Sequence, residues 1–381
     1  MNNNFEQGPI RPPSEATSLL VRVTRNCPWN KCNFCHTYSG NKFELRSVDE
    51  VKKDIQAMKD IADQITQISR KLGEEGRVSR NVLRYIYNNN DQYNELFHNI
   101  AAWLYFGGEN AFLQDANSLI LKTPELLEIL NFLREKFPRI GRITSYCRSH
   151  TAARKSVDEF SQLKNAGLTR IHIGMESGSD NVLALIRKGV TAEDHIKAGL
   201  NIKQSGIELS EYVMPGLGGL QWTREHARQT ARVLNEINPD FIRLRTLHVV
   251  PGTGLDDLRQ KGEFSILTDE EVLQEIQLFI LNLNVRETVL ASDHILNLLE
   301  ELEGKLPEDK PKLLSVIQRY FDLSAQDRLI YRLGRHSGSL RKISDLEDTE
   351  TYLRLKSVID QYSDQGGDID EDMVEIMNNY I

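Results

Sequence analysis

The stretch "SLLVRVTRNCPWNKCNFCHTYSG", residues 18–40, sets two patterns side by side. Its first part is apolar and rich in valine, leucine and threonine, the composition of a buried β-strand. Its second part is a polar loop that carries Cys27, Cys32 and Cys35 within nine residues, with His36 directly after. In parallel α/β folds, ligands bind at the C-terminal ends of strands. A thiol-rich loop placed there is a candidate site.

Four cysteines in 381 residues are too few for a disulfide scaffold. A chain of this size folds without such bridges, and its polar start has no apolar core segment of the secretory kind. A reducing cytoplasm is the expected compartment. Three readings of the thiols follow. Purely structural cysteines fit poorly with a polar loop. Zinc held by Cys27, Cys32, Cys35 and His36 needs four closed ligands, and the adjacent Cys35 and His36 side chains would converge awkwardly. A [4Fe–4S] cluster held by three thiolates leaves one iron open to a cofactor or substrate.

Working outward, strand-like runs recur at 18–25, 111–114, 140–147, 169–176, 206–214 and 241–250. Amphipathic helical patterns lie between them, at 124–136, 157–166, 192–204 and 223–236. This alternation predicts parallel strands with right-handed crossovers, in an open sheet or an incomplete barrel. The first two strands are about 85 residues apart, too far for one crossover. Helical patterns fill the gap, broken at "GEEG" and "NNND", so a helical insertion is expected at about 60–104. After Thr268 the spacing reads as helical, with Ser292 capping a helix that ends at Gly304, two more helices, and an acidic tail. The expected division is a polar N-terminal segment at 1–17, a core at 18–265 and a helical region at 266–381.

With these residues in view, the chain resembles the radical S-adenosylmethionine (SAM) superfamily. That superfamily carries a C-x3-C-x2-C loop after its first barrel strand; here the spacing is C-x4-C-x2-C, one residue longer. "RIHIGMESGSDNVLALIRKGVT", residues 170–191, resembles the fourth-strand segment of the branch with oxygen-independent coproporphyrinogen oxidases and methylthiotransferases. The resemblance implies a partial (β/α)6 TIM-like barrel, with Cys27, Cys32 and Cys35 as cluster ligands. It places Phe34 near the adenine of SAM, Glu176 at its ribose, and Lys188 or its neighbour Arg187 at its carboxylate. A charge-assisted contact suits the last of these. The SAM amino group falls to the segment after the second strand. Two stretches compete for that role: Gly107–Glu109, a literal GGE, and 114–117, with Asp115 and Asn117, which register favours.

The implied chemistry is reductive cleavage of SAM to a 5′-deoxyadenosyl radical that abstracts hydrogen from a substrate. The implied partners are that substrate and an electron donor such as a flavodoxin or ferredoxin. Only Cys147 remains after the triad, which speaks against a second all-cysteine cluster. Neither a cobalamin domain nor an acetyltransferase domain is read in the sequence. Cys147 reads as a packed thiol, Arg148 as a pocket candidate, and Asp293–His294 as a capping turn. The formal charge of −8 makes nucleic acid an unexpected partner, and no apolar run reaches the roughly 20 residues of a membrane span. The alternative from another class is a non-catalytic iron–sulfur or zinc protein with a helical partner-binding region.

Overall fold

The computed structural model describes residues 4–89, 91–364 and 373. The expected acidic tail lies almost wholly outside them. The chain divides into two compact units, residues 1–30, 37–173 and 197–209 in the first, and 31–36, 174–196 and 210–381 in the second.

In the first unit four parallel strands lie in the order β1 (Leu19–Arg22), β2 (Asn110–Gln114), β3 (Arg142–Cys147) and β4 (Leu168–Glu176), the last running on into the second unit. Arg22 is in register with Gln114, so β1 and β2 end together. Between them stand α1 (Val48–Lys71), α2 (Arg80–Tyr87) and α3 (Glu95–Tyr105), the expected helical insertion. Ser47 starts α1 with a full capping box to Glu50, which satisfies backbone donors that the first turn leaves open. Gly107 and Gly108, with φ of 108° and 66°, stop α3 as glycine does at helix ends. A short antiparallel ribbon, Thr24–Arg25 with Glu44–Leu45, closes the base of the cysteine loop. The helices α4 (Thr123–Lys136) and α5 (Val157–Asn165) complete the crossovers. The N-terminal segment is less separate than its polarity suggested. Gln114 accepts from the Gly8 N–H at 2.8 Å and donates to the Ile10 carbonyl at 2.7 Å.

The helix α6 (Ala192–Ser205) leads to β5 (Glu208–Val213), whose last four residues belong to the second unit. There β5 pairs in parallel with β6 (Phe241–Leu244), and β6 with β7 (Thr288–Ala291). The helices α7 (Gly219–Ile237) and α8 (Asp269–Asn282) pack on each other. The architecture is α/β with mainly parallel strands, as the alternation predicts, but the alternation does not end at Thr268. The helix expected from Ser292 to Gly304 is absent. The chain instead forms β7, a buried turn, and β8 (Gly304–Leu306), antiparallel to β7. Leu296, Leu299 and Leu302 are buried in that turn, and their spacing imitates a helix. After β8 come α9 (Lys310–Phe321), α10 (Ala325–His336) and α11 (Thr349–Asp364). No helix among the described residues is long and apolar enough to cross a membrane.

Candidate functional site

In the first unit the cysteine loop leaves β1 at Asn26, which holds a left-handed φ of 67°. The Asn26 N–H donates to Asp115 Oδ2 at 3.1 Å. The same oxygen takes both Arg22 Nε and Nη2, at 2.9 and 2.7 Å, while the Tyr38 hydroxyl donates to Oδ1 at 3.0 Å. One buried carboxylate thus ties the ends of two neighbouring strands to both ends of the loop. Charge-assisted bonds of this kind are the strong ones. Asn30 holds the loop from inside, donating from its amide to the Tyr38 carbonyl at 2.6 Å and the Asn41 carbonyl at 3.1 Å. A Cβ on Gly8 would run into Asp115, so only glycine lets the N-terminal segment pass there.

The two second-strand candidates separate by position. Asp115 and Asn117 follow β2, at the end where β1 opens into the cysteine loop. Asn117 is buried, accepting from the Arg148 N–H at 3.0 Å and donating to Thr151 Oγ1 at 2.8 Å. The Gly107–Glu109 stretch precedes β2 and so stands at the opposite end of the strand. Glu109 is exposed there, 3.5 Å from Arg139. Cys147 is buried, and the Arg148 guanidinium lies 5.1 Å from the centre of the Trp29 ring.

In the second unit the segment 31–36 is pinned through Asn33. Its N–H donates to the Ile186 carbonyl at 2.9 Å, its amide to the Leu185 carbonyl at 2.9 Å, and its carbonyl accepts from the Leu255 N–H at 2.9 Å. Phe34 packs on the apolar cluster of Val182, Ile186, Leu217 and Leu255. Lys188 Nζ sits 5.8 Å from the Phe34 ring centre and 3.0 Å from Glu176 Oε1. Glu176 ends β4 with a φ of 64°, a conformation L side chains avoid without support. A Cβ on Gly174 would press on both Glu176 and Lys188.

Three residues behind this pair escaped the sequence reading. Glu211 on β5 is fully buried, and among the described residues neither of its carboxylate oxygens has a hydrogen-bond partner. Burial first, and then the Glu176 charge, push its pKa well above the usual carboxylate range, with Lys188 pulling the other way. His226 on α7 lies 2.9 Å from Glu275 Oε1 through Nδ1 and 3.2 Å from the Glu176 carbonyl through Nε2. That carbonyl also accepts from the Met214 N–H at 3.0 Å. Glu275 on α8 further accepts from the Gly216 N–H at 2.8 Å and the Thr223 hydroxyl at 2.6 Å. Lone charges at positions of an otherwise apolar strand or helix face were the available signal.

Residues 89–234 match the family model described as the radical SAM superfamily. That segment of the chain is similar to a radical SAM domain. The cofactors of that superfamily are a [4Fe–4S] cluster and SAM, as the resemblance implied. Among curated proteins, a relative named tRNA uridine(34) acetyltransferase, from Methanocaldococcus infernus, is 32% identical over 127 residues, which is 32% of this chain and 23% of that protein. Its namesake from Methanocaldococcus jannaschii is 29% identical over 119 residues, 31% of this chain and 22% of that one. The chain therefore spans about a quarter of the length of the curated relatives it matches. Among solved structures, the M. infernus Elp3 lacking its first 46 residues superposes with a TM-score of 0.40 at 19% identity, covering 56% of this chain and 53% of that one.

The chemistry of the donors fits a cluster of the radical SAM kind. Cys27, Cys32 and Cys35 are half-buried on one loop, and none is in a disulfide. Among the described residues no group of three or more His, Cys, Asp or Glu side chains is already gathered as a metal site.

Proposed function

We propose that this chain is a radical SAM enzyme in which Cys27, Cys32 and Cys35 hold a [4Fe–4S] cluster. The observation that carries the reading is the three-thiol loop directly after the first parallel strand of a chain similar over residues 89–234 to a radical SAM domain. When bound, the cluster supplies the electron that splits SAM into methionine and a 5′-deoxyadenosyl radical. The protein's own part is to position and exclude. Asp115 fixes the start of the cysteine loop through Asn26. Lys188 offers a cation to the SAM carboxylate, and Glu176 a carboxylate to the ribose. Phe34 offers an apolar face to the adenine. Asn117 and the backbone after β2 serve the amino group, in preference to Gly107–Glu109, which lies at the other end of the strand.

The proposed substrate class is RNA, by extension from the name of the curated relatives. This proposal replaces the expectation against nucleic acid. It rested on a net charge, and a net charge averages over faces that differ. The electron donor is a small low-potential protein of the flavodoxin or ferredoxin kind, and the compartment a reducing cytoplasm. The test is anaerobic reconstitution followed by reduction with SAM present. The expected result is about four irons per chain, in line with a [4Fe–4S] centre, and release of 5′-deoxyadenosine. Stoichiometric zinc without iron, or a loaded and reduced cluster that leaves SAM intact, would overturn the reading.

A further inference from the structure

The helical insertion carries a surface that the SAM chemistry does not use. Residues 70–87 hold five cations, Arg70, Lys71, Arg77, Arg80 and Arg84, against two carboxylates, Glu74 and Glu75. All five cations are exposed. Earlier on α1, Lys52 and Lys59 pair with Glu128 and Asp63. Among the described residues, none of the five lies within ion-pairing distance of a carboxylate. A local surplus of this size is notable in a chain whose total is −8.

The charge is also arranged. On α2, Val82 and Ile86 are buried. Arg80, Arg84 and Tyr87 follow a helical period on the opposite side, so they form one exposed stripe. The antiparallel neighbour α3 edges that stripe with rings. The Tyr105 hydroxyl accepts from Arg80 Nε at 3.4 Å, and the Tyr87 ring lies 4.6 Å from the His98 ring. Beside Tyr105, Phe106 is 61% exposed, and Tyr87 is 43% exposed.

We infer that this α2–α3 face is an RNA-binding surface, with Arg80 and Arg84 on phosphates and Tyr87 and Phe106 as stacking platforms. Arginines without a carboxylate partner, beside exposed rings, are the recognised means of holding single-stranded or looped RNA. The inference deepens the RNA reading proposed above, and an acidic protein is the competitor that the test addresses.

The experiment uses the full chain and two labelled probes, a tRNA transcript and a polyglutamate peptide, in binding titrations at several salt concentrations without SAM. The parent is expected to bind the transcript and not the peptide. Arg80→Glu with Arg84→Glu should weaken transcript binding at least about tenfold, and should lower the salt slope by roughly two for two lost phosphate contacts. Tyr87→Ala should weaken binding with the slope unchanged. Arg232→Glu, on an exposed face of α7, should behave as the parent. Circular dichroism and iron content should match the parent in every variant. Transcript binding unaffected by the double variant, or equal binding of polyglutamate, would sink the inference. The double variant should still cleave SAM when reduced without RNA. Should the parent fail to cleave SAM while RNA binding still depends on this face, the radical reading falls and the surface stands.

Discussion

His226 Nδ1 lies 2.9 Å from Glu275 Oε1, and its other ring nitrogen is 3.2 Å from the carbonyl of Glu176. Two acceptors on one imidazole call for two N–H donors, the protonated form. Burial lowers the His226 pKa, but the Glu275 charge and the hydrogen bonds to Glu275 and Glu176 outweigh it, so the pKa is raised. A neutral helix-to-strand packing thereby becomes a charged brace behind the residue proposed to meet SAM.

A pH dependence follows from that brace. A histidine whose folded pKa is raised contributes stability that is fully present below its unfolded value of about 6.5 and is lost as pH rises through the folded value. His226→Gln should therefore be destabilised more at pH 6 than at pH 9. Melting curves of parent and variant across that range test it, and a penalty independent of pH would remove the charged state from the account.

Glu211 behaves in the opposite sense. Its folded pKa is raised, so the native state keeps a proton that the unfolded chain releases above about 4.5. Stability is lost as pH climbs from there toward the folded value. Glu211→Gln keeps the shape without that loss. The variant should melt higher than the parent at pH 8, with the gain vanishing near pH 4.5. A gain of the same size at both ends would show that packing, not ionisation, decides.

Asp115→Asn keeps the volume and removes the charge facing Arg22. Breaking one side of a buried pair costs about 3–5 kcal/mol. The variant should melt lower, and, because Asn26 loses its anchor, anaerobically loaded protein should hold less iron. Normal iron at parental stability would mean the loop does not depend on this carboxylate.

Cys27→Ala, Cys32→Ala and Cys35→Ala should each lose the cluster and with it 5′-deoxyadenosine formation. Cys147→Ala should keep full iron content, since that thiol is buried on β3 away from the loop sequence. Loss of iron in Cys147→Ala alone would reassign the ligands. Lys188→Met should weaken SAM binding by about tenfold, the scale of one charge-assisted contact, while sparing the iron.

Much of this was legible in the residues. Alternating apolar strands and amphipathic helices fixed the parallel α/β order, and cysteine spacing on a strand-end loop marked the candidate site. Other features were not legible. The 292–304 region has leucines at helical intervals, and only the pairing of β7 with β6 and of β8 with β7, on either side of it, decides for a buried turn. Asp115 read as a contact for the cofactor, because sequence gives its place after β2 but not the four donors that occupy it. His294 read as part of a cap. Its Nε2 accepts from Arg245 at 3.1 Å, and burial followed by the Arg245 and Arg335 charges lowers its pKa to about 3. A histidine held neutral in that way fastens a turn.

The bond from Asn26 to Asp115 spans 89 positions of the chain. During synthesis at about 5–20 residues per second, the three thiols leave the ribosome roughly 5–20 s before the carboxylate that fixes their loop. In that interval the whole helical insertion emerges, and its local helices form far faster than β2 can find β1. The maturation of the loop thus waits on a distant strand, and iron delivered earlier meets cysteines on an unanchored chain.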